Sequence, residues 1–123
     1  MNKIPDLTKA EEEIMQILWH IGKGFINDIL EQVPDPKPAY NTVSTIVRIL
    51  EKKGIVAYNS FGKTHQYYPL ISKQQYSELK SKKLLKNYFD GSVSKMLSFF
   101  LKKEDLSLKE IEEIKKLINK KDK

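Results

Sequence analysis

The 123-residue chain has no cysteine. That removes disulfides, thiolate metal sites and cysteine nucleophiles together. Histidine occurs only as His20 and His65, far apart in the sequence, and no pair of carboxylates sits in an apolar setting. A zinc or catalytic centre needs about three or four convergent ligands, and none can be assembled. No catalytic residue, metal or cofactor is therefore expected, and the chain is not read as an enzyme. No apolar run approaches the ~20 residues of a membrane span, so no direct membrane association is expected. The N-terminus, MNKIPDLTKAEEEIMQILW, lacks a basic region followed by an apolar run and a small-residue cleavage site. A cytoplasmic protein is the expectation.

What is present is a chain with 40% apolar residues and a formal net charge of +6. That apolar share suffices for a folded core. The charge is unevenly placed. Residues 1–72 hold eight Lys or Arg against eight Asp or Glu, whereas residues 73–123 hold fourteen Lys against eight acids. Net basicity lives in the C-terminal part. Any nucleic-acid surface in the N-terminal part has to come from local segregation of charge.

The N-terminal part falls into helix, helix, helix and hairpin. TKAE at Thr8 is a capping box. It opens a helix to about Ile21 with Ala10, Ile14, Ile17, Leu18 and Ile21 on one stripe, ended by Gly22 and Gly24. A short helix over about Asn27–Val33 turns Ile29, Leu30 and Val33 inward. PDPKP then imposes a loop. The third helix is AYNTVSTIVRILEKKG, closing at Lys53 with Gly54 as a left-handed cap. IVAYNS and THQYYPL flank FGK as a hairpin, and Pro69 closes its second strand. This is the order of a winged helix-turn-helix, with a third helix over about 41–53 and a wing over about 55–70. The fold class is mainly α with a small β-hairpin.

The third helix carries the functional reading. At about 100° per residue, Asn41, Ser44, Thr45, Arg48 and Lys52 fall within about 60° of one direction. Val43, Ile46, Val47 and Leu50 fall opposite. The outer face suits a DNA major groove, where Asn41 can pair with adenine edges, Thr45 with bases and the thymine methyl, and Arg48 with guanine or phosphate. Lys52 and Lys53 suit phosphates, and Lys63 and Thr64 sit near the wing tip. From Lys37 to His65 there are five Lys or Arg and one acid, Glu51, a local excess that meets the requirement for segregation. Tyr40 either lies on a sugar-phosphate or plugs the helix start. Tyr58, Phe61, Tyr67 and Tyr68 are read as cross-strand packing rather than a single-strand platform. Trp19 is assigned to the core or to interdomain packing.

The C-terminal part, 73–123, is helical. Capping boxes open helices at Ser72 (SKQQ) and Ser107 (SLKE), DGS at Asp90 breaks the chain between, and NKKDK is read as a frayed tail. About 50 residues in three helices have little core of their own. The apolar positions Tyr76, Leu84, Tyr88, Met96, Leu97, Phe100, Leu108, Ile111, Ile114 and Ile118 are therefore assigned to a homodimer interface.

The segments LTKAEEEIMQILW, TVSTIVRILEKKG, GKTHQYYPLIS and KKEDLSLKEIEEIKKLI, in that order, resemble the penicillinase-repressor family of BlaI, MecI and CopY type. The resemblance covers nearly the whole chain. It implies a winged-helix DNA-binding domain (1–72), a helical dimerisation domain (73–123), and a homodimeric repressor on a palindromic double-stranded operator. It matches Thr42 and Thr45 to the family's paired threonines of the recognition helix, which adds Thr42 to the expected DNA contacts, and Lys52, Lys53 and Gly54 to its closing Lys-Lys-Gly. It also departs from the pattern. Pro38, Ala39, Tyr40 and Asn41 replace the usual lead into the third helix, Ile49 stands where an Arg is common, and an Arg precedes it at position 48. The missing cysteines argue against the copper-responsive branch. In the β-lactam-responsive branch a protease cuts an Asn-Phe bond, which makes a membrane sensor-protease a candidate partner. The matching place here is Phe99–Phe100. The competing reading is a winged-helix module whose outer face meets a protein instead of DNA.

Overall fold

The computed structural model describes residues 4–103 and 106–121. In chain order these form α1 (Lys9–Ile21), α2 (Ile26–Gln32), α3 (Tyr40–Lys52), β1 (Val56–Phe61), β2 (Thr64–Pro69), α4 (Lys73–Phe89), α5 (Val93–Lys103) and α6 (Leu108–Lys121). The chain divides into two compact units, Met1–Leu79 and Lys80–Lys123.

In the first unit, local chemistry sets each boundary. Thr8 accepts the Glu11 amide while Glu11 accepts the Thr8 amide, a complete capping box. Gly22, at φ +85°, ends α1 with its amide on Leu18. Gly24 has a different task from the one expected. It exchanges both backbone hydrogen bonds with Tyr67 of β2, and a Cβ there would lie 2.8 Å from the end of the Ile21 side chain. It ties the α1–α2 connection to the wing. The α3 helix ends in a Schellman motif: the Ile55 amide bonds Leu50, the Gly54 amide bonds Glu51, and Gly54 has φ +83°. The hairpin pairs Phe61 with Thr64 around Gly62–Lys63. Gly62 at φ +62° supplies the positive dihedral that a tight hairpin turn needs at its first central residue.

Packing follows the expected stripes with two shifts. Met15 is fully buried beside Leu18, Ile29, Val43, Val47 and Leu50, whereas Ala10 is exposed. The core-facing arc of α1 is centred nearer Met15 because α2, α3 and β2 all press on it. The α2 helix likewise starts one residue earlier, with Ile26 buried and Leu30 and Val33 only half-buried. Trp19 donates its indole N–H to the Ile71 carbonyl at 2.9 Å and lies against the Tyr76 ring.

Lys53 is the main correction in this unit. Its Nζ lies 2.7 Å from Glu11 Oε1 and 3.1 Å from the Asp6 carbonyl. It bolts the end of α3 to the start of α1 and does not face outward. Glu11 is only 4% exposed. Burial alone would raise its pKa, but the Lys53 ammonium and the Thr8 hydrogen bonds outweigh it and hold the carboxyl below its ordinary value. A depressed acid stabilises the fold above its unfolded pKa, and that contribution is lost as pH falls through the folded value. Lys53→Ala is expected to cost about 1–3 kcal/mol at pH 7, as for hydrogen bonds to a charged group. The cost should shrink when urea midpoints are remeasured near pH 3. An equal cost at both pH values would assign the effect to packing of the lysine stem.

In the second unit, the tail of α4 is followed by α5 and α6. Asp90 and Gly91, at φ +53° and +75°, make the break after α4. The Ser92 hydroxyl accepts the Lys95 amide and the Ser107 hydroxyl accepts the Glu110 amide, capping α5 and α6. The α6 helix continues to Lys121, so Asn119–Lys121 are helical and not a frayed tail. Lysines in a last turn favour the helix dipole. Residues 122 and 123 of the expected tail lie outside the described residues.

Candidate nucleic-acid interface

The α3 helix presents Asn41, Thr45, Arg48 and Lys52 as exposed side chains, with Ser44 half-buried at their edge. Val43, Val47 and Leu50 on the other side are fully buried, so the core fixes the rotation of the helix. Thr45 donates its hydroxyl to the Asn41 carbonyl at 2.8 Å. Its proton is used within the helix, leaving an acceptor lone pair and the methyl for a partner. Thr42 stands about 100° round the helix from Asn41. It lines a separate apolar concavity with Pro34, Pro36 and Ile46, so it sits off the stripe.

A groove of about 730 Å³ runs between α3 and the wing. Tyr40, Ser44 and Arg48 form one wall, Tyr58, Lys63, Thr64 and His65 the other, and Phe25 and Asn27 from the start of α2 close an end. Tyr58 and His65 stack in parallel with centroids 3.8 Å apart, and Tyr58 pairs directly across the hairpin with Tyr67. These rings brace the wing that carries Lys63. Thr64 donates its hydroxyl to the Phe61 carbonyl within the turn. Tyr40 is exposed at the groove, not seated in the core.

The five basic residues counted from Lys37 to His65 do not act alike. Lys37 donates to the carbonyls of Leu30, Glu31 and Val33 and caps α2. Lys53 is held by Glu11. Arg48, Lys52 and Lys63 make no ion pair among the described residues, and these three are the cations the surface offers. The stripe itself carries no acid, but Glu51 and Asp28 line the groove, and Asp28 already accepts the Phe25 amide. Anions are thus drawn to the Arg48–Lys52 side and the wing tip. Sequence reasoning missed Phe25 and Asn27, which come from another helix and enter only through the fold.

The residues assigned to self-association divide in the same way. Tyr76 is buried in the first unit, where its hydroxyl bonds the Glu12 carboxylate and its ring meets Trp19. It is already covered within its own chain and offers no surface to a second copy. Burial and the Glu12 bond push its hydroxyl pKa up. In the second unit Leu97, Ile111 and Ile114, with Leu101 and Leu106, line a cleft of about 110 Å³ between α5 and α6. Leu84, Tyr88, Phe100, Leu108 and Ile118 are exposed, as are Leu101 and Leu117; Met96 is half-buried. Phe99 and Phe100 lie inside α5, and Phe99 packs edge-on to Phe89. Among the described residues no three His, Asp or Glu converge as metal ligands, and no helix is long and apolar enough to cross a membrane.

The penicillinase repressor family model matches residues 7–120. The methicillin resistance regulatory protein MecI of Staphylococcus aureus N315 is 32% identical over 121 residues, covering 98% of each chain. The penicillinase repressor of Bacillus licheniformis is 29% identical over 119 residues, covering 96% of this chain and 93% of that protein. Among solved structures, the DNA-binding domain of the repressor BlaI superposes with a TM-score of 0.53 at 27% identity, over 62% of this chain and 94% of that one. The monomeric form of Bacillus licheniformis BlaI in complex with the blaP half-operator gives 0.51, also at 27% identity and with the same coverage.

Proposed function

The chain belongs to the penicillinase repressor family, and we propose that it is a DNA-binding transcriptional repressor that acts as a homodimer on a palindromic operator. The observation that carries this reading is the acid-free stripe Asn41–Thr45–Arg48–Lys52 on a helix whose opposite side is locked in the core. The stripe enters a major groove. Arg48 and Thr45 contact base edges, and Lys52 and the wing-tip Lys63 hold phosphates. The likeness to a BlaI structure with a half-operator supports one unit per half-site. Two copies joined through the exposed apolar residues of α4–α6 place two such stripes on the two halves of the operator. Occupancy of the operator excludes the transcription machinery, and the site of action is the cytoplasm.

A sensor-protease partner would inactivate the dimer by cutting near Phe99–Phe100. Both residues are helical, so that cut requires α5 to unwind locally.

The test is a mobility-shift titration with duplex from upstream of the gene for this chain and random duplex as competitor. Competitor-resistant binding is the expected result. Equal, weak binding to both duplexes would turn the reading toward a protein partner. Each tenfold rise in salt should lower log K by roughly 0.9 per phosphate neutralised. With Lys52 and Lys63 as the phosphate-reaching cations, Lys63→Ala is expected to flatten that slope by about one phosphate per half-site.

A further inference from the structure

The first unit holds a second concavity, on the flank of α3 that carries Thr42 and Ile46. Its volume is about 760 Å³, inside the roughly 300–1,000 Å³ range of small-molecule sites. Ile14 and Ile17 of α1, Ile46 of α3 and the three loop prolines Pro34, Pro36 and Pro38 give it an apolar lining. Asn41, Thr45 and Arg48 do not line it, so it is separate from the surface assigned to DNA.

Its charge is one-sided. Glu13 is the sole ionisable group in the lining, and Lys37, between the lining prolines Pro36 and Pro38, spends its ammonium on the Leu30, Glu31 and Val33 carbonyls. Glu13 makes no hydrogen bond or ion pair among the described residues. An anionic ligand would meet repulsion with no cation in the lining to offset it. A neutral apolar ligand would gain nothing from the carboxylate, which is exposed to water.

We propose that this concavity binds a small hydrophobic monocation, with a flat apolar body on the prolines and isoleucines and an ammonium group at Glu13. Proline rings and short β-branched side chains lose little conformational freedom when covered, so the lining is preorganised. The net positive charge of the chain does not forbid a cation, because charges beyond about 8–10 Å are largely screened at physiological salt. The proposal does not depend on the DNA-binding reading, since the site and its test involve the free protein.

Three isosteric probes separate charge from shape: 4-phenylbutylamine, 4-phenylbutanol and 4-phenylbutyrate. Each is titrated into the full-length ¹⁵N-labelled chain, with the amide signals of Ala10, Ile17, Thr42 and Ile46 followed. The amine is expected to bind about three- to fivefold more tightly than the alcohol, the yield of an exposed ion pair, and the carboxylate most weakly. Glu13→Gln, at an exposed position, should bring amine and alcohol to the same affinity. Ala10→Trp, which fills the rim, should weaken both. Shifts at these amides that are equal for amine and carboxylate would overturn the proposal. So would no shift with any probe at millimolar concentration, or shifts centred on the α3–wing groove or the C-terminal helices.

Discussion

Arg48→Ala should weaken operator binding by about 1–3 kcal/mol per half-site, the worth of one good bidentate contact, and relax base preference at one position. Three features set the size. Arg48 is exposed and makes no ion pair among the described residues, so its guanidinium is not already committed. It lies in the middle of the stripe, the part that a helix docked in a major groove would bring nearest the bases. Val47 and Leu50 on either side of it are fully buried, so the helix cannot roll to substitute another side chain. Lys52→Ala, by contrast, should weaken all duplexes nearly uniformly, as loss of a phosphate contact does. Thr45→Val tests the same face from another side. It keeps the methyl and removes the hydroxyl, whose proton is already spent on Asn41. Little loss is expected if the methyl contacts thymine, and an Arg48-sized loss if the oxygen accepts a base proton. Titrations against an operator and single-base variants read all three. An Arg48→Ala protein with unchanged affinity and unchanged base preference would remove α3 from the readout.

How much of this was legible in the sequence depends on the range of the interaction. Capping boxes at Thr8 and Ser72, the left-handed cap at Gly54 and the turn at Gly62 are local, and each formed where residue type and spacing put it. The stripe on α3 is also local, since a helix fixes its own angular order. What failed was long-range. Lys53 belongs to the closing Lys-Lys-Gly, and nothing in its neighbourhood says that Glu11, 42 positions earlier, will capture it. Tyr76 looks like one more apolar position of a C-terminal helix, yet Trp19 and Glu12 claim it for the first unit. Lys37 was counted as surface charge, but the carbonyls at the end of α2 take its ammonium. In each case the residue type was read correctly, and the partner came from a segment that only the fold brings near. The surface charge is therefore more sparing than the sequence count implied.

The double substitution Leu108→Asp with Ile118→Asp should halve the sedimenting mass and lower operator affinity by roughly 100-fold or more, since joining two modules gains about 10²–10⁴ over either alone. The positions suit the test. Leu108 is 81% exposed and Ile118 is 55% exposed, so aspartates there remove little packing from the unit that carries them. Burying two charges at an apolar interface is costly unless each finds a partner. Exposed apolar residues singly mean little. Here Tyr88, Phe100, Leu101, Leu108, Leu117 and Ile118 fall within one short unit of three helices, more than such a unit leaves uncovered without a reason. The controls separate dissociation from damage. Far-ultraviolet circular dichroism should be unchanged, and binding to an isolated half-site should match that of wild type, because α3 and the wing are untouched. A protein that stays dimeric would move the interface to other residues. One that becomes monomeric yet keeps full operator affinity would mean that each N-terminal unit binds its half-site without help from the second copy.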